Sequence, residues 1–332
     1  MDNNDISRRQ FIGSSILAAA GLGLVSANAF GMPAYIKNLG KPNSLFKGVQ
    51  IGVISYSWRS LPSSAEQVLK YCIDSNISAI ELMGPSGELF AGAPQPPARP
   101  AGTGGQRAQL TAEQKAEFEE YTKKLAEWRA TVSMDKFVQL GKMYKAAGVK
   151  IYGYKPSALG VNNTDAEVDY AFRAAKAMGA NQATVELPKE ASETKRLGDI
   201  AARNKVFVGY HGHTQQTFDW WDVALEQSKY NAMNFDMGHY VAAGFDPIPL
   251  IEAKHSRIVS MHTKDRKSKA NGGANMPWGE GDTPIVEVLQ LMRKNKYKFP
   301  ATIELEYEIP AGSGAVKETA KCVEYARKAL GA

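Results

Sequence analysis

The sequence predicts an α/β fold of the (β/α)8 barrel class, and three observations carry that prediction. Strand-like and helix-like patterns alternate without a break over about 280 residues, which favours a barrel over segregated sheets and helices. Four successive strand-like segments end on Glu186, His211, Asp236 and His262, spaced 25, 25 and 26 residues apart, about one strand-helix unit each. The first strand runs into Ser55-Tyr-Ser-Trp58-Arg59, without the glycine-rich turn that a dinucleotide-binding sheet needs there.

In chain order, the expected strands are 50–55, 78–82, 149–154, 181–186, 206–211, 232–236, 258–262 and 301–306. Helices are expected over 63–75, 133–147, 164–178, 190–203, 218–228, 246–254 and 283–295, with 313–329 closing the chain. Two insertions interrupt the rhythm. The stretch 84–107, rich in Gly, Pro and Ala, reads as an irregular loop. A charged helix over 111–129 follows, opened by Thr111-Ala-Glu-Gln114 as a capping box. Because this insertion (84–130) follows strand 2, it leaves from the C-terminal face of the barrel, as a lid or an oligomer contact. The second, 264–282, follows strand 7 on the same face and carries Trp278-Gly-Glu-Gly281-Asp282.

Composition narrows the class further. With 44% hydrophobic and 22% charged residues in a chain of 332, disorder is excluded as the default. The formal charge is +6, but the basic residues are scattered. The nearest basic run, Lys264-Asp-Arg266-Lys267-Ser-Lys269, is interrupted by an acid and reads as a solvated loop, so no nucleic-acid partner is expected. Cys72 and Cys322 fall on apolar helix faces and read as buried free thiols, which leaves no zinc-thiolate site.

Residues 1–29 read as an export signal. Ser7-Arg8-Arg9-Gln10-Phe11 precedes the apolar run from Ile16 to Val25, which closes on Ala27-Asn28-Ala29. The paired arginines before an aromatic residue resemble a twin-arginine signal, and the run is short for a spanning helix. The expectation is a periplasmic protein, exported folded with its cofactor and without stable membrane insertion after cleavage. Residues 30–47 are then a linker and 48–332 the barrel.

The strand ends supply the chemistry. A divalent ion (Mn2+, Co2+, Zn2+ or Mg2+) suits carboxylates with an imidazole, and Glu186, Asp236, His262 and Glu306 come from strands 4, 6, 7 and 8. Four of the five histidines, His211, His213, His239 and His262, sit at strand ends, while His255 falls in a helix-to-strand turn away from them. Lys264, two residues past His262, and Lys155, at the end of strand 3, are candidates to bind or polarise substrate. Trp58 and Trp278 are candidate platforms for a sugar ring.

Over residues 48 to 330 the chain resembles the xylose isomerase-like superfamily of sugar isomerases and epimerases. The resemblance is carried by Asn234-Phe-Asp236-Met-Gly-His239, Val259-Ser-Met-His262-Thr-Lys-Asp265, Trp278-Gly-Glu-Gly-Asp282 and Thr302-Ile-Glu304-Leu-Glu306-Tyr. Tyr210-His-Gly-His213 resembles the H-N-H strand 5 of one branch, with Gly212 in place of the middle Asn. It implies a metal set in which Asp236, His262 and Glu306 carry over, Glu306 being preferred to Glu304. The fourth position falls to Glu186, with His211 as the alternative.

The activity implied is proton abstraction next to a carbonyl, giving isomerisation or epimerisation through an enediolate. Glu186, Glu306, His213 and Lys264 are the candidate catalytic residues. His211, His239, Lys155, Trp58, Trp278 and Glu304 are candidates for substrate binding. A non-phosphorylated sugar or keto-sugar is the expected partner, with a homo-oligomer also envisaged. The alternatives are a lyase expelling a β-leaving group from a keto-sugar or keto-glycoside, and a non-catalytic periplasmic sugar-binding protein.

Overall fold

Eight parallel strands close on themselves in a computed structural model that describes residues 40–98, 100 and 109–332. They are β1 (Val49–Ile54), β2 (Ala79–Met83), β3 (Lys150–Lys155), β4 (Gln182–Glu186), β5 (Phe207–His211), β6 (Asn231–Asp236), β7 (Ile258–Thr263) and β8 (Ala301–Ile303). Each pairs in parallel with the next, and β8 pairs back onto β1, so no barrel edge is left open. The expected (β/α)8 barrel is therefore the fold. Residues 1–29, expected to be a twin-arginine signal, and most of the expected linker lie outside the described residues. Among those described, no helix is long and apolar enough to cross a membrane.

The helices form where the sequence supplies caps and an apolar stripe. In Asp165–Met178 the capping box of Thr164 and Glu167 closes one end, and Gly179 at φ +89° closes the other. Strand and helix bounds fall within one or two residues of expectation in most cases. The exceptions lie at the mouth. β8 stops at Ile303 rather than continuing to Glu306. The first seven residues of the insertion form a helix, Gly84–Phe90, where a loop was expected, with Pro85 in its first turn. A further short helix, Met237–Ala242, starts directly from Asp236.

The insertion helix Ala112–Thr131 packs its last turns on the outer helical layer. Trp128 meets Tyr170 edge to face at 5.7 Å. Arg129, only 3% exposed, donates to Glu88 (2.9 Å), Glu167 (3.2 Å) and Ser157 (2.7 Å). One side chain thus joins the two helices of the insertion and fastens it to two further segments of the chain. Both cysteines are free and buried, as expected.

The barrel interior is unusually polar for a buried volume. Gln182 donates to Ser260 at 2.6 Å, Tyr152 and Thr302 share a hydrogen bond of 2.6 Å, and Thr184 donates to Glu81 at 2.5 Å. Gly52 makes room for this layer, because a Cβ there would stand 2.8 Å from the Tyr152 ring. Directly above it lies the mouth.

Candidate functional site

Strand register assembles the site. Glu186 on β4 is level with His211 on β5, and Asp236 on β6 is level with His262 on β7. Ligand atoms of His211, Asp236, His262 and Glu304 all lie within 4.8 Å of one another, and all four residues are buried. A second group at the rim, Glu186, His211 and His213, meets the same distance limit and shares His211 with the first. Lys264 stands between them and β8. Its Nζ lies 3.0 Å from Asp236 Oδ2, 2.8 Å from Glu304 Oε2 and 2.7 Å from Glu306 Oε2, and it donates to His239 Nε2 at 2.9 Å.

Six expected site residues take different places. Because β8 ends at Ile303, Glu304 is the first residue past the strand, and its carboxylate is the one that enters the buried quartet. Glu306 lies one pleat further out and contacts Lys264 and, at 3.7 Å, His239. Glu186 is half-exposed and sits outside the quartet, joined to Lys155 at 3.0 Å and His213 at 3.5 Å. His211, not Glu186, completes the tight group with Asp236 and His262. Trp58 is no sugar platform: it is buried, donates its indole N–H to Thr319 at 3.1 Å and packs on Tyr71. Trp278 meets Tyr325 edge to face at 5.9 Å and lines a groove beside the last helix, away from the quartet. His255 stacks on Tyr297, consistent with a structural role.

The run beginning at Lys264 is also not a solvated loop at its start. Lys264 and Asp265 are buried. Asp265 accepts the backbone N–H groups of Gly279 (2.8 Å), Gly281 (2.9 Å) and Thr283 (3.2 Å), pinning the second insertion. A Cβ at position 281 would fall 2.0 Å from Asp265 Oδ1, so the second glycine of Trp278-Gly-Glu-Gly281 is there for close approach. Gly212 has a similar reason. The ring of Trp220 comes within 2.2 Å of where its Cβ would stand, so an asparagine does not fit between the two histidines.

The charges at the mouth are divided sharply. Burial opposes the His262 imidazolium, but the Glu304 and Glu81 carboxylates on its two sides outweigh that and lift it to about 10. His211 goes the other way, held well below the usual histidine range by burial and then by Lys155 and His262. His239 falls to about 2 through burial and the neighbouring Lys264, with Arg266 adding to it, so it is a neutral imidazole. Burial also works against the Lys264 ammonium, yet Asp236, Glu304 and Glu306 raise its pKa. Asp236 is raised, chiefly by burial with Glu304 adding to it, while Glu304 is held low by Lys264 and His262 against its burial.

The quartet fits a metal ion on its own chemistry. Two carboxylates and two imidazoles converge, a donor set suited to a first-row divalent cation. Asp236 Oδ2 is buried without a hydrogen bond, although Lys264 Nζ approaches it to 3.0 Å at an unfavourable angle. A buried carboxylate oxygen in that state calls for a partner. His211 engages Asn234 Oδ1 through Nδ1 at 2.8 Å, which leaves Nε2 as its free nitrogen.

Three residues of the site were not singled out from sequence. Glu81, fully buried on β2, touches His262 Nε2 at 3.1 Å. Asn234 links Glu81 to His211. Gln216 donates to the backbone carbonyls of His213 (2.7 Å) and Asp236 (3.2 Å). A signal existed for Glu81, a lone acid inside the apolar strand Ala79–Met83, because ionisable residues are seldom buried unless paired.

The family model for the xylose isomerase-like TIM barrel matches residues 109–326. Among solved structures, a xylose isomerase domain protein from Planctomyces limnophilus is 16% identical with a TM-score of 0.57, covering 85% of this chain and 97% of that one. The probable 3-DHS dehydratase of petrobactin synthesis from Bacillus anthracis is 14% identical, with a TM-score of 0.56 and coverage of 83% and 98%. A sugar phosphate isomerase/epimerase from Parabacteroides distasonis is 15% identical, with a TM-score of 0.53 and coverage of 84% and 93%. At these identities the likeness shows the fold alone. Comparison with curated proteins gives no match. The family model covers well over half the chain, and the chain belongs to the xylose isomerase-like TIM barrel family.

Proposed function

We propose that the chain is a divalent-metal-dependent sugar isomerase or epimerase that removes a proton next to a carbonyl of a non-phosphorylated sugar or keto-sugar. The observation that carries this reading is the buried quartet His211, Asp236, His262 and Glu304 at the C-terminal mouth of the barrel, with Asp236 Oδ2 in no hydrogen bond and held only by its ion pair to Lys264. Those four residues would hold the ion. When bound, it supplies Lewis-acid polarisation of the carbonyl and stabilises the charge of an enediolate.

The proton transfers fall to two carboxylates outside the quartet. Glu186 extends from β4 and Glu306 follows β8, four strands apart in a closed ring of eight, so they face a substrate in the mouth from opposite sides. Glu186 takes the carbon-bound proton, and His213, 3.5 Å away, is placed to receive it. Glu306, beside the buried Lys264 ammonium, takes up a proton from solvent before turnover and delivers it from the other side. Lys264 remains charged and donates to a substrate oxygen, as does Lys155 at the rim. His239 accepts a hydrogen bond and keeps the mouth free of a further cation.

One observation favours elimination as a second reading. The His213 and His239 rings meet at 4.7 Å, and His213 is half-exposed, where an acid could protonate a departing group. The structural likeness to a probable 3-DHS dehydratase is in keeping with that outcome. Both reactions begin with the same proton abstraction, so one experiment addresses them together. Purified protein is incubated with keto-sugars in D2O, with and without Mn2+. Metal-dependent deuterium incorporation next to the carbonyl, lost in Glu186→Gln, is expected. A returned sugar indicates isomerisation or epimerisation, and a released fragment indicates elimination. No exchange in any keto-sugar with either metal condition would overturn the enzyme reading in favour of a non-catalytic sugar binder. Export from residues 1–29 belongs to the same proposal. A mature protein beginning after Ala29 in the periplasmic fraction is expected, and recovery of a chain starting at Met1 would contradict it.

A further inference from the structure

We infer that Glu81 is a positioning residue that sets which nitrogen of both His262 and His211 faces the metal position. The inference rests on the metal-site reading above. Glu81 is completely buried, and its two oxygens are engaged by three groups. Thr184 donates to Oε1 at 2.5 Å, Asn234 Nδ2 donates to Oε2 at 3.1 Å, and His262 Nε2 lies 3.1 Å from the same Oε2. A carboxylate accepts and does not donate, so the His262 nitrogen facing it carries the proton. Nδ1 faces Glu304 Oε2 at 3.0 Å and Asp236 Oδ2 at 4.0 Å and donates to Glu304 in the metal-free protein; it is the nitrogen that would give up its proton to an ion held by those two carboxylates, because Nε2 stays engaged by Glu81.

The effect on His211 runs through Asn234. Its amide N–H groups are directed to Glu81 and, at 2.7 Å, to Ser260 Oγ. The reverse amide orientation would set a carbonyl oxygen against the Glu81 carboxylate. Asn234 Oδ1 is therefore turned to His211 Nδ1, at 2.8 Å, and can only accept from it. His211 carries its proton on Nδ1 and offers Nε2. One carboxylate thus holds two imidazoles in opposite tautomers, His262 offering Nδ1 and His211 offering Nε2.

The backbone supports a deliberate placement. Strand register shifts at two points in the barrel, between Ile80 and Glu81 and between Met233 and Asn234. Bulges re-aim the side chains that follow them, and here they precede the two residues that bond the imidazoles. Burying a carboxylate carries a desolvation penalty that an apolar residue in this otherwise apolar strand would avoid.

The test combines Zn2+ titration calorimetry with long-range 15N–1H spectra of histidine-labelled, Zn2+-loaded protein. Wild type is expected to show His262 protonated at Nε2 and His211 protonated at Nδ1. In Glu81→Leu, Asn234 Nδ2 and His262 Nε2 both lose their acceptor, so neither imidazole is held in one tautomer. Zn2+ affinity is expected to fall about 10- to 100-fold, with the His211 pattern changed and the circular dichroism spectrum retained. Thr184→Val, which removes a donor to Glu81 without touching either ring, should keep both tautomers. Wild-type affinity in Glu81→Leu would overturn the inference. So would a wild-type spectrum with His262 ligating through Nε2, a readout that needs no variant to fold. Wild-type protein that binds no Zn2+ would overturn the metal-site reading itself, and this inference with it.

Discussion

Two buried clusters of charge sit in this molecule, and they are satisfied to different degrees. Around Arg129, every partner is placed: the guanidinium donates to Glu88, Glu167 and Ser157, and Glu167 also accepts from Asn163 and the Thr164 backbone. Around Lys264, three carboxylates crowd one ammonium, and Asp236 Oδ2 is left without a hydrogen bond. The first cluster is a clasp that holds the insertion to the barrel. The second has an excess of acceptors, which a clasp does not need and a metal site does. Burial alone therefore does not distinguish the two clusters, whereas the surplus of carboxylates over hydrogen-bond donors does.

That contrast predicts opposite responses to mutation. Asp236→Asn removes a carboxylate from the quartet and should lower metal-dependent exchange about a hundred- to a thousandfold. Its melting temperature should stay level or rise, because the desolvated charge is gone. Arg129→Met should do the reverse. It strands Glu88 and Glu167 in a buried setting and should cost about 3–5 kcal/mol in urea unfolding, with turnover unchanged below the transition. Equal loss of stability in both variants would remove the distinction.

Metal addition gives the next effect. At a concentration a hundredfold above its Kd, Mn2+ should stabilise wild type by about 2.7 kcal/mol in thermal unfolding, and Asp236→Asn far less. The smallest effect is in acid. The Glu167 carboxyl is held below the usual range, because the Thr164 N–H, Asn163 and Arg129 outweigh its burial. A lowered folded pKa contributes stability that is fully present above about 4.3 and lost as pH falls through the folded value. The acid limb of stability should therefore be shallower in Arg129→Met than in wild type.

The barrel was legible in the sequence because strand-helix alternation and strand-end ligands repeat at a fixed interval, and such long periodic patterns survive local irregularity. Asp236 and His262 were legible for the same reason, whereas the fourth place was read as Glu186 with His211 as the alternative, since both end neighbouring strands at the same level. Glu304 and Glu306 were harder to separate, since both lie on the inward face and only the length of β8 decides between them. Strand length depends on pairing with β7 and β1, which one strand's residues do not reveal. Trp58 and Trp278 went astray because a tryptophan after a strand reads the same whether it faces the mouth or a helix. Glu81 comes from the other half of the chain and reaches His262 across 181 positions, a contact that no local pattern encodes. The export signal was read from residues 1–29, outside the described part of the molecule.

A metal ion at the ends of β5 to β8 would be seen by anomalous diffraction from crystals soaked in Mn2+, as a single strong peak bounded by His211, Asp236, His262 and Glu304. A peak instead at the rim between Glu186 and His213, or no peak at saturating Mn2+, would contradict that placement.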